Sequence, residues 1–202
     1  MGSHRMIHRK VIALSLLASM GIAGAADAAK VVLPRAGQVG VGMQGQYGTL
    51  LETGDYGDLF SDGAGLAVRL RYRMRYERAI GLSFEGQTFN ARVSGAAGDT
   101  TVKTLKLILT GFEIYQMFDT RQKTHKNVCL GLGIAQSSAE IHTGETVYPD
   151  DGVYVSIGAG IEHFFWGSWG YDLSTRYMAI YQHQKPNHDF QVSLGLIYYA
   201  SY

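Results

Sequence analysis

Beyond residue 36 apolar and polar residues alternate with period two, in segments separated by clusters of Gly, Asp, Asn and Thr. Successive side chains of a strand point to opposite faces, so this alternation specifies strands with one apolar and one polar side. Eight segments are legible, at about 37–50, 64–76, 79–92, 102–118, 127–140, 153–166, 170–183 and 189–202. Each exceeds the ~9–11 residues that a tilted strand needs to cross a bilayer. The spacers alternate as well: longer near 51–63, 93–101 and 141–152, very short at 77–78 and 167–169. Short turns at one end and long loops at the other are the rhythm of an up-and-down transmembrane barrel. Two spacers depart from it, a longish turn near 119–126 and a brief loop at 184–188.

Parity inside the segments sharpens the expectation. In the second, Leu66, Val68, Leu70, Tyr72, Met74 and Tyr76 share one face while Arg69, Arg71, Arg73 and Arg75 share the other. One wall then meets hydrocarbon and the other a polar interior. The first segment sets Val39, Val41, Met43 and Tyr47 against Gln38, Gly40, Gly42, Gln44 and Gln46. The fifth to seventh oppose apolar rows to Cys129, Glu162, Asp172 and Arg176. The fourth breaks phase, because Leu105, Leu107 and Leu109 have one parity and Phe112 and Ile114 the other. One extra residue near Thr110–Gly111, a β-bulge, accounts for the change and turns Lys106 and Glu113 to the same inner side. Tyr76, Trp166, Trp169 and Tyr171 gather where the short turns fall, the depth that amphipathic rings prefer.

The first 28 residues have a different plan: cations at Arg5, Arg9 and Lys10, an apolar stretch from Val11 to Ala25, then Ala26-Asp27-Ala28, with Ala23-Gly24-Ala25 as a competing small-x-small step. This three-part layout predicts a cleaved secretory signal peptide over 1–28 and a single domain over 29–202. The apolar stretch is short of the ~20 residues of a membrane-anchoring helix.

Charge and composition add exclusions. The 202 residues carry +1, and loss of Arg5, Arg9, Lys10 and Asp27 with the leader takes this to −1, which argues against nucleic acid as a partner. Tyr and Gly are abundant, 13 and 26, against 3 Pro, a composition suited to a curved membrane sheet. The one cysteine, Cys129, permits no intrachain disulfide.

With this pattern on the page the chain resembles the small eight-stranded outer-membrane barrels of the OmpA, OmpX and Opa-like surface proteins. The most specific element is the terminal segment from Phe190 through Tyr198 to Tyr202, which resembles the C-terminal signal read by the barrel-assembly machinery. The resemblance implies an all-β, eight-stranded antiparallel transmembrane barrel in the bacterial outer membrane. It implies outer-membrane lipid and lipopolysaccharide as surroundings, and outer loops as the place where any extracellular ligand binds.

The most concentrated polar feature is the inward set Arg69, Arg71, Arg73, Arg75, Lys106 and Arg176 against Glu85, Glu113, Glu162 and Asp172. An eight-strand interior is just wide enough for side chains to fill, so these charges are expected to pair and plug the lumen. The competing reading is a gate whose bridges exchange partners to open a narrow path, with surplus positive charge favouring anions. A third, an outer-leaflet lipid enzyme, would need Ser, His and an acid at the outer rim. His183, Ser137, Ser138, Glu140 and His142 lie there without the spacing that such chemistry requires, so no catalytic residue is assigned. The histidines, His163 among them, show no ligand spacing, and the acidic loops at 52–63 and 145–151 do not match a calcium loop. No metal or cofactor is expected. N-terminal sequencing of the exported protein should read Ala29 as the first residue; a start at Met1 would contradict the leader.

Overall fold

The computed structural model describes residues 30–52, 54–92, 102–141, 146–147, 151–182 and 185–200. The leader over 1–28, His183, His142, Glu145, Asp150 and Tyr202 lie outside them. The unit Val31–Tyr202 is nearly all strand: β1 Val39–Leu50, α1 Gly54–Gly57, β2 Phe60–Arg75, β3 Arg78–Ala91, β4 Val102–Phe118, β5 Thr124–Ile141, β6 Thr146–Val147, β7 Gly152–Trp166, β8 Trp169–Tyr181 and β9 Asn187–Tyr199. Among the described residues no helix is long and apolar enough to cross a membrane.

Eight long strands pair antiparallel with their neighbours, β1 also pairs with β9, and β4 pairs with β5, so the sheet closes. The two-residue β6 adds only a short hairpin arm on β5. Followed once round the wall, the register runs from Ile134 through Thr110, Phe84, Val68, Met43, Leu196, Tyr171 and His163 to Thr124. The closed sheet is therefore staggered by ten residues along β5. An even stagger matters, because side chains alternate with period two and only an even offset keeps each inner face inner after a full turn. Eight strands with this stagger enclose an interior that side chains fill.

The outer wall carries Val41, Met43, Leu66, Val68, Leu82, Phe84, Ile114, Leu130, Leu132, Val155, Ile157, Leu194 and Leu196, all exposed. Apolar surface this continuous belongs in hydrocarbon. At the short-turn end Tyr76, Trp166 and Trp169 are exposed, and the half-buried Tyr171 stacks on Phe165 with centroids 4.5 Å apart. That end turns on Tyr76–Glu77, on Asp119–Lys123 and on Gly167–Ser168, where Gly167 has φ +51°. A left-handed residue in so tight a turn is cheapest as glycine.

The bulge expected at Thr110–Gly111 is absent. The β3–β4 ladder is regular from Asn90↔Thr104 to Arg78↔Gln116, and on the β5 side the only shift falls between Val102 and Thr104. Leu105, Leu107 and Leu109 point inward with Glu113, Tyr115 and Met117, while Lys106, Ile108, Phe112 and Ile114 face out. The Leu105–Leu109 row, which an inner Lys106 would put on the lipid side, instead lines the lumen near the long-loop end. Gly111 has another role there: a Cβ on it would collide with the Tyr154 hydroxyl crossing the interior.

The two registers of β4 make different demands. In this one Leu107→Ala opens a cavity in a packed interior and should cost about 2–5 kcal/mol. Urea unfolding in detergent measures it, and a negligible effect would return Leu107 to the outer wall.

Candidate functional site

The lumen is built in tiers. At the short-turn end Phe164, Ile197 and Tyr199 form an apolar cluster against which Val31 and Leu33 pack. The segment that brings them there is held by a backbone bond from Val32 N to Gly167 O of 2.8 Å.

Above it lies the ion network, on strands whose inner parity brings basic β2 opposite acidic β7 and β8. Glu162 accepts from the Arg73 guanidinium at 3.0 Å and forms an ion pair with that of Arg71. Arg71 also reaches Asp172 at 3.2 Å and lies 4.0 Å over the Tyr115 ring. Arg73 donates to the Tyr199 hydroxyl at 3.3 Å, to the Tyr76 carbonyl at 3.1 Å and to His125 Nδ1 at 3.1 Å. Since a guanidinium only donates, His125 must carry its proton on Nε2. Arg176 joins Glu113 at 2.7 Å to Glu85, Glu113 also accepts from Tyr115, and Arg69 lies 3.8 Å from Glu85. These charged side chains are at most 5% exposed. Buried charge at that depth is tolerable only when paired and hydrogen-bonded.

An amide tier follows. Gln46 donates to Glu85 at 3.0 Å, Gln87 donates to Gln46 at 3.4 Å, and Gln191 donates to Asp189 at 2.9 Å. The long-loop end is closed by Leu50, Tyr56, Phe60, Phe89, Leu105, Leu107, Leu109, Tyr154, Met178 and Ile180 in one apolar cluster. Tyr56 of α1 is fastened there by its N–H to Asn187 Oδ1 at 2.8 Å and by its hydroxyl to Ser137 Oγ at 3.2 Å. Arg92 clamps the same loop, donating to the carbonyls of Leu50, Gly57 and Phe60 and to Glu52 Oε1 at 2.6 Å.

The structure thus brings together Arg69, Arg71, Arg73, Arg176, Glu85, Glu113, Glu162 and Asp172. Two expected members stand apart. Arg75 is exposed, because the β2–β3 register shifts between Arg73 and Arg75 as the chain enters its two-residue turn. Lys106 is exposed on the outer wall, since β4 runs without a bulge. The network then has four guanidiniums against four carboxylates, and the surplus of positive charge disappears. Sequence reasoning missed Tyr115, Tyr199, His125 and Asp189 as inner residues, although Tyr115 shares parity with Glu113 on β4, Tyr199 with Asp189 on β9 and His125 with Cys129 on β5. Ser137 points into the lumen and accepts from Gln182 at 2.8 Å, and His163 Nδ1 lies 2.9 Å from Thr124 Oγ1. Phe190 and Tyr198 lie on the outer wall of β9. Among the described residues no group of three or more His, Cys, Asp or Glu is placed to hold a metal ion.

The model of a family described as "Outer membrane protein beta-barrel domain" matches residues 13–197. No curated protein sequence matches the chain. Among solved structures it is similar to Neisserial surface protein A, at 14% identity and a TM-score of 0.61, over 79% of this chain and 96% of that one. It is similar to OprG of Pseudomonas aeruginosa at 10% identity and a TM-score of 0.58, over 86% of this chain and 100% of that one. Ail, the attachment invasion locus protein of Yersinia pestis, gives 13% identity and a TM-score of 0.53, over 81% and 99%. Likeness at these identities is a likeness of fold.

Removing a shared carboxylate strands its partners. Glu162→Ala should destabilise the barrel by about 3–5 kcal/mol, because the buried Arg73 guanidinium loses its carboxylate and Arg71 keeps only Asp172. Arg75→Ala, at an exposed position, should stay within about 0.5 kcal/mol. Denaturant midpoints in detergent compare them, and equal effects would contradict the assignment of Glu162 to the interior network.

Proposed function

Because this chain belongs to the outer membrane protein beta-barrel domain family, we propose that it serves the bacterial outer membrane as a closed structural and surface-interaction barrel, its lumen plugged by the Arg/Glu network. Bacterial outer membrane is its location. The observation that carries the reading is obstruction at every level. Phe164, Ile197 and Tyr199 block one end, the Leu105–Leu109 row with Tyr56 blocks the other, and paired charges fill the middle.

A narrow gated pore is the second reading. Its support is that Glu162 is shared by Arg71 and Arg73, and Arg176 by Glu85 and Glu113, so bridges have alternatives to exchange with. Exchange alone leaves both apolar plugs in place, and the lumen has no surplus of positive charge to favour anions. An enzymatic role has less support: Ser137 is engaged by Tyr56 and Gln182 inside the lumen, and no catalytic residue is assigned.

The outer wall fits the same reading. Tyr76, Trp166, Trp169 and Tyr171 anchor the short-turn interface, the periplasmic one by the usual orientation of such barrels. Lys106, beside Thr88 and Ser138 near the long-loop end, meets lipopolysaccharide headgroups. Phe190, Tyr198 and Tyr202 serve as the signal to the barrel-assembly machinery. Any extracellular ligand binds at the long loops.

Planar-bilayer recording tests the central statement. The protein should show no steady conductance, and the Arg71→Ala, Arg73→Ala double variant should also stay closed, because the plugs at both ends persist. Steady single-channel current through the unmodified protein would overturn the closed barrel in favour of the pore.

A further inference from the structure

The ion network leaves one buried acid unaccounted for. Asp189 on β9 is fully buried, yet none of the ion pairs reaches it, so the lumen holds five carboxylates against four guanidiniums among the described residues. Its Oδ2 accepts from Gln191 Nε2, while Oδ1 has no hydrogen-bond partner among the described residues.

A second unpartnered acceptor stands beside it, and its identity follows from a chain of hydrogen bonds. Glu85 accepts, so Gln46 must present its Nε2 to Glu85 and its Oε1 to Gln87. Gln87 therefore uses its Nε2 on Gln46 and has Oε1 left over, also without a partner. The orientation of Gln191 is set in the same way, since its Oε1 accepts from Arg176 at 3.3 Å and its Nε2 is left for Asp189. Turning Gln191 would break its bonds to Arg176 and Asp189, and turning Gln87 would set its Oε1 against Gln46 Oε1, which is held in place by the bond from Gln46 to Glu85.

The two leftover oxygens converge. A Cβ placed on Gly48 would lie 3.0 Å from Asp189 Oδ1, 3.3 Å from Gln87 Oε1 and 3.4 Å from Asp189 Oδ2. Glycine at 48 leaves the side-chain position over which these oxygens stand. Two oxygens without a donor of their own, one of them on a carboxylate that otherwise accepts from Gln191 and the Thr49 N–H and pairs directly with no guanidinium, call for a cation.

We propose that Asp189 and Gln87, over Gly48, form a binding site for a small monovalent cation such as sodium. One carboxylate and one amide oxygen neutralise a single charge. A calcium ion takes 6–8 oxygen ligands, commonly several of them carboxylates, whereas this pair holds one carboxylate and, among the described residues, belongs to no group of three or more His, Cys, Asp or Glu. The site lies between the ion network and the apolar plug, next to Asn187, which holds Tyr56 of α1. Its occupancy therefore bears on how firmly the mouth is closed, whether or not the barrel conducts.

The test is urea unfolding of the full chain in detergent, followed by tryptophan fluorescence, in sodium chloride and in tetramethylammonium chloride at equal ionic strength. A ligand that binds only the folded state raises its stability with concentration, so the midpoint in sodium should be higher and should rise with sodium concentration. At a tenfold excess over the dissociation constant the shift should be roughly half to one molar urea. Asp189→Asn removes the charge without changing shape, and Gly48→Ala fills the point of convergence; both should abolish the difference between the salts. In crystals soaked with thallium(I), an anomalous peak is expected against Asp189 Oδ1 and Gln87 Oε1. Coincident wild-type midpoints, a sodium response retained by Asp189→Asn, or no thallium peak would each overturn the proposal. A midpoint that follows pH and ignores sodium would overturn it as well, by assigning a proton to Asp189.

Discussion

Closure of the sheet with an even stagger is the constraint from which the other features follow. Once β4 pairs with β5 and the register returns displaced by ten residues, every wall side chain has one of two environments. There is no edge to fray and no third face. Large apolar residues on one parity meet hydrocarbon, and whatever occupies the other must share a narrow interior with seven other strands. Polar groups there have only one another as partners, so pairing becomes a condition of folding rather than an embellishment.

This explains why the charges are concentrated on β2 and answered across the lumen. Arg69, Arg71 and Arg73 stand on consecutive inner positions; Arg69 finds Glu85 on the neighbouring β3, and the partners of the other two come from β7 and β8, about ninety to a hundred residues away. Buried ion pairs add little net stability compared with an apolar interior, because desolvation offsets most of the attraction. Their stronger effect is on register. A slip of β2 by one residue would turn three guanidiniums toward lipid, each at about 2–4 kcal/mol near the midplane. The network thereby penalises misalignment far more than it rewards the correct alignment.

The same physics decides what could be read from the chain. Strand number, the outer rows and most inner charges were legible because alternation and charge point the same way in β1, β2, β7, β8 and β9. In β4 they disagreed, since Leu105, Leu107 and Leu109 share parity with Glu113. Parity is encoded locally, but which parity is inner depends on the whole wall, and an apolar plug makes leucines correct inside. Glu113 already pointed to the answer, because without a bulge it carries the leucines inward with it. Arg75 was lost to a local event, the register shift at the turn, which no alternation records. Tyr115, Tyr199 and His125 were harder to read because aromatic rings suit both environments, and their partners, Glu113 for the first and Arg73 for the other two, show that they belong inside.

Unbroken alternation between lipid and lumen is measured most directly by a nitroxide scan of β4 in bilayers, one position at a time from 104 to 116, read as oxygen accessibility by electron paramagnetic resonance. Even-numbered positions should be oxygen-accessible and odd-numbered ones shielded, with the same phase on both sides of Thr110–Gly111. A reversal of phase at that step, or no period-two signal at all, would contradict the closed barrel with its filled interior.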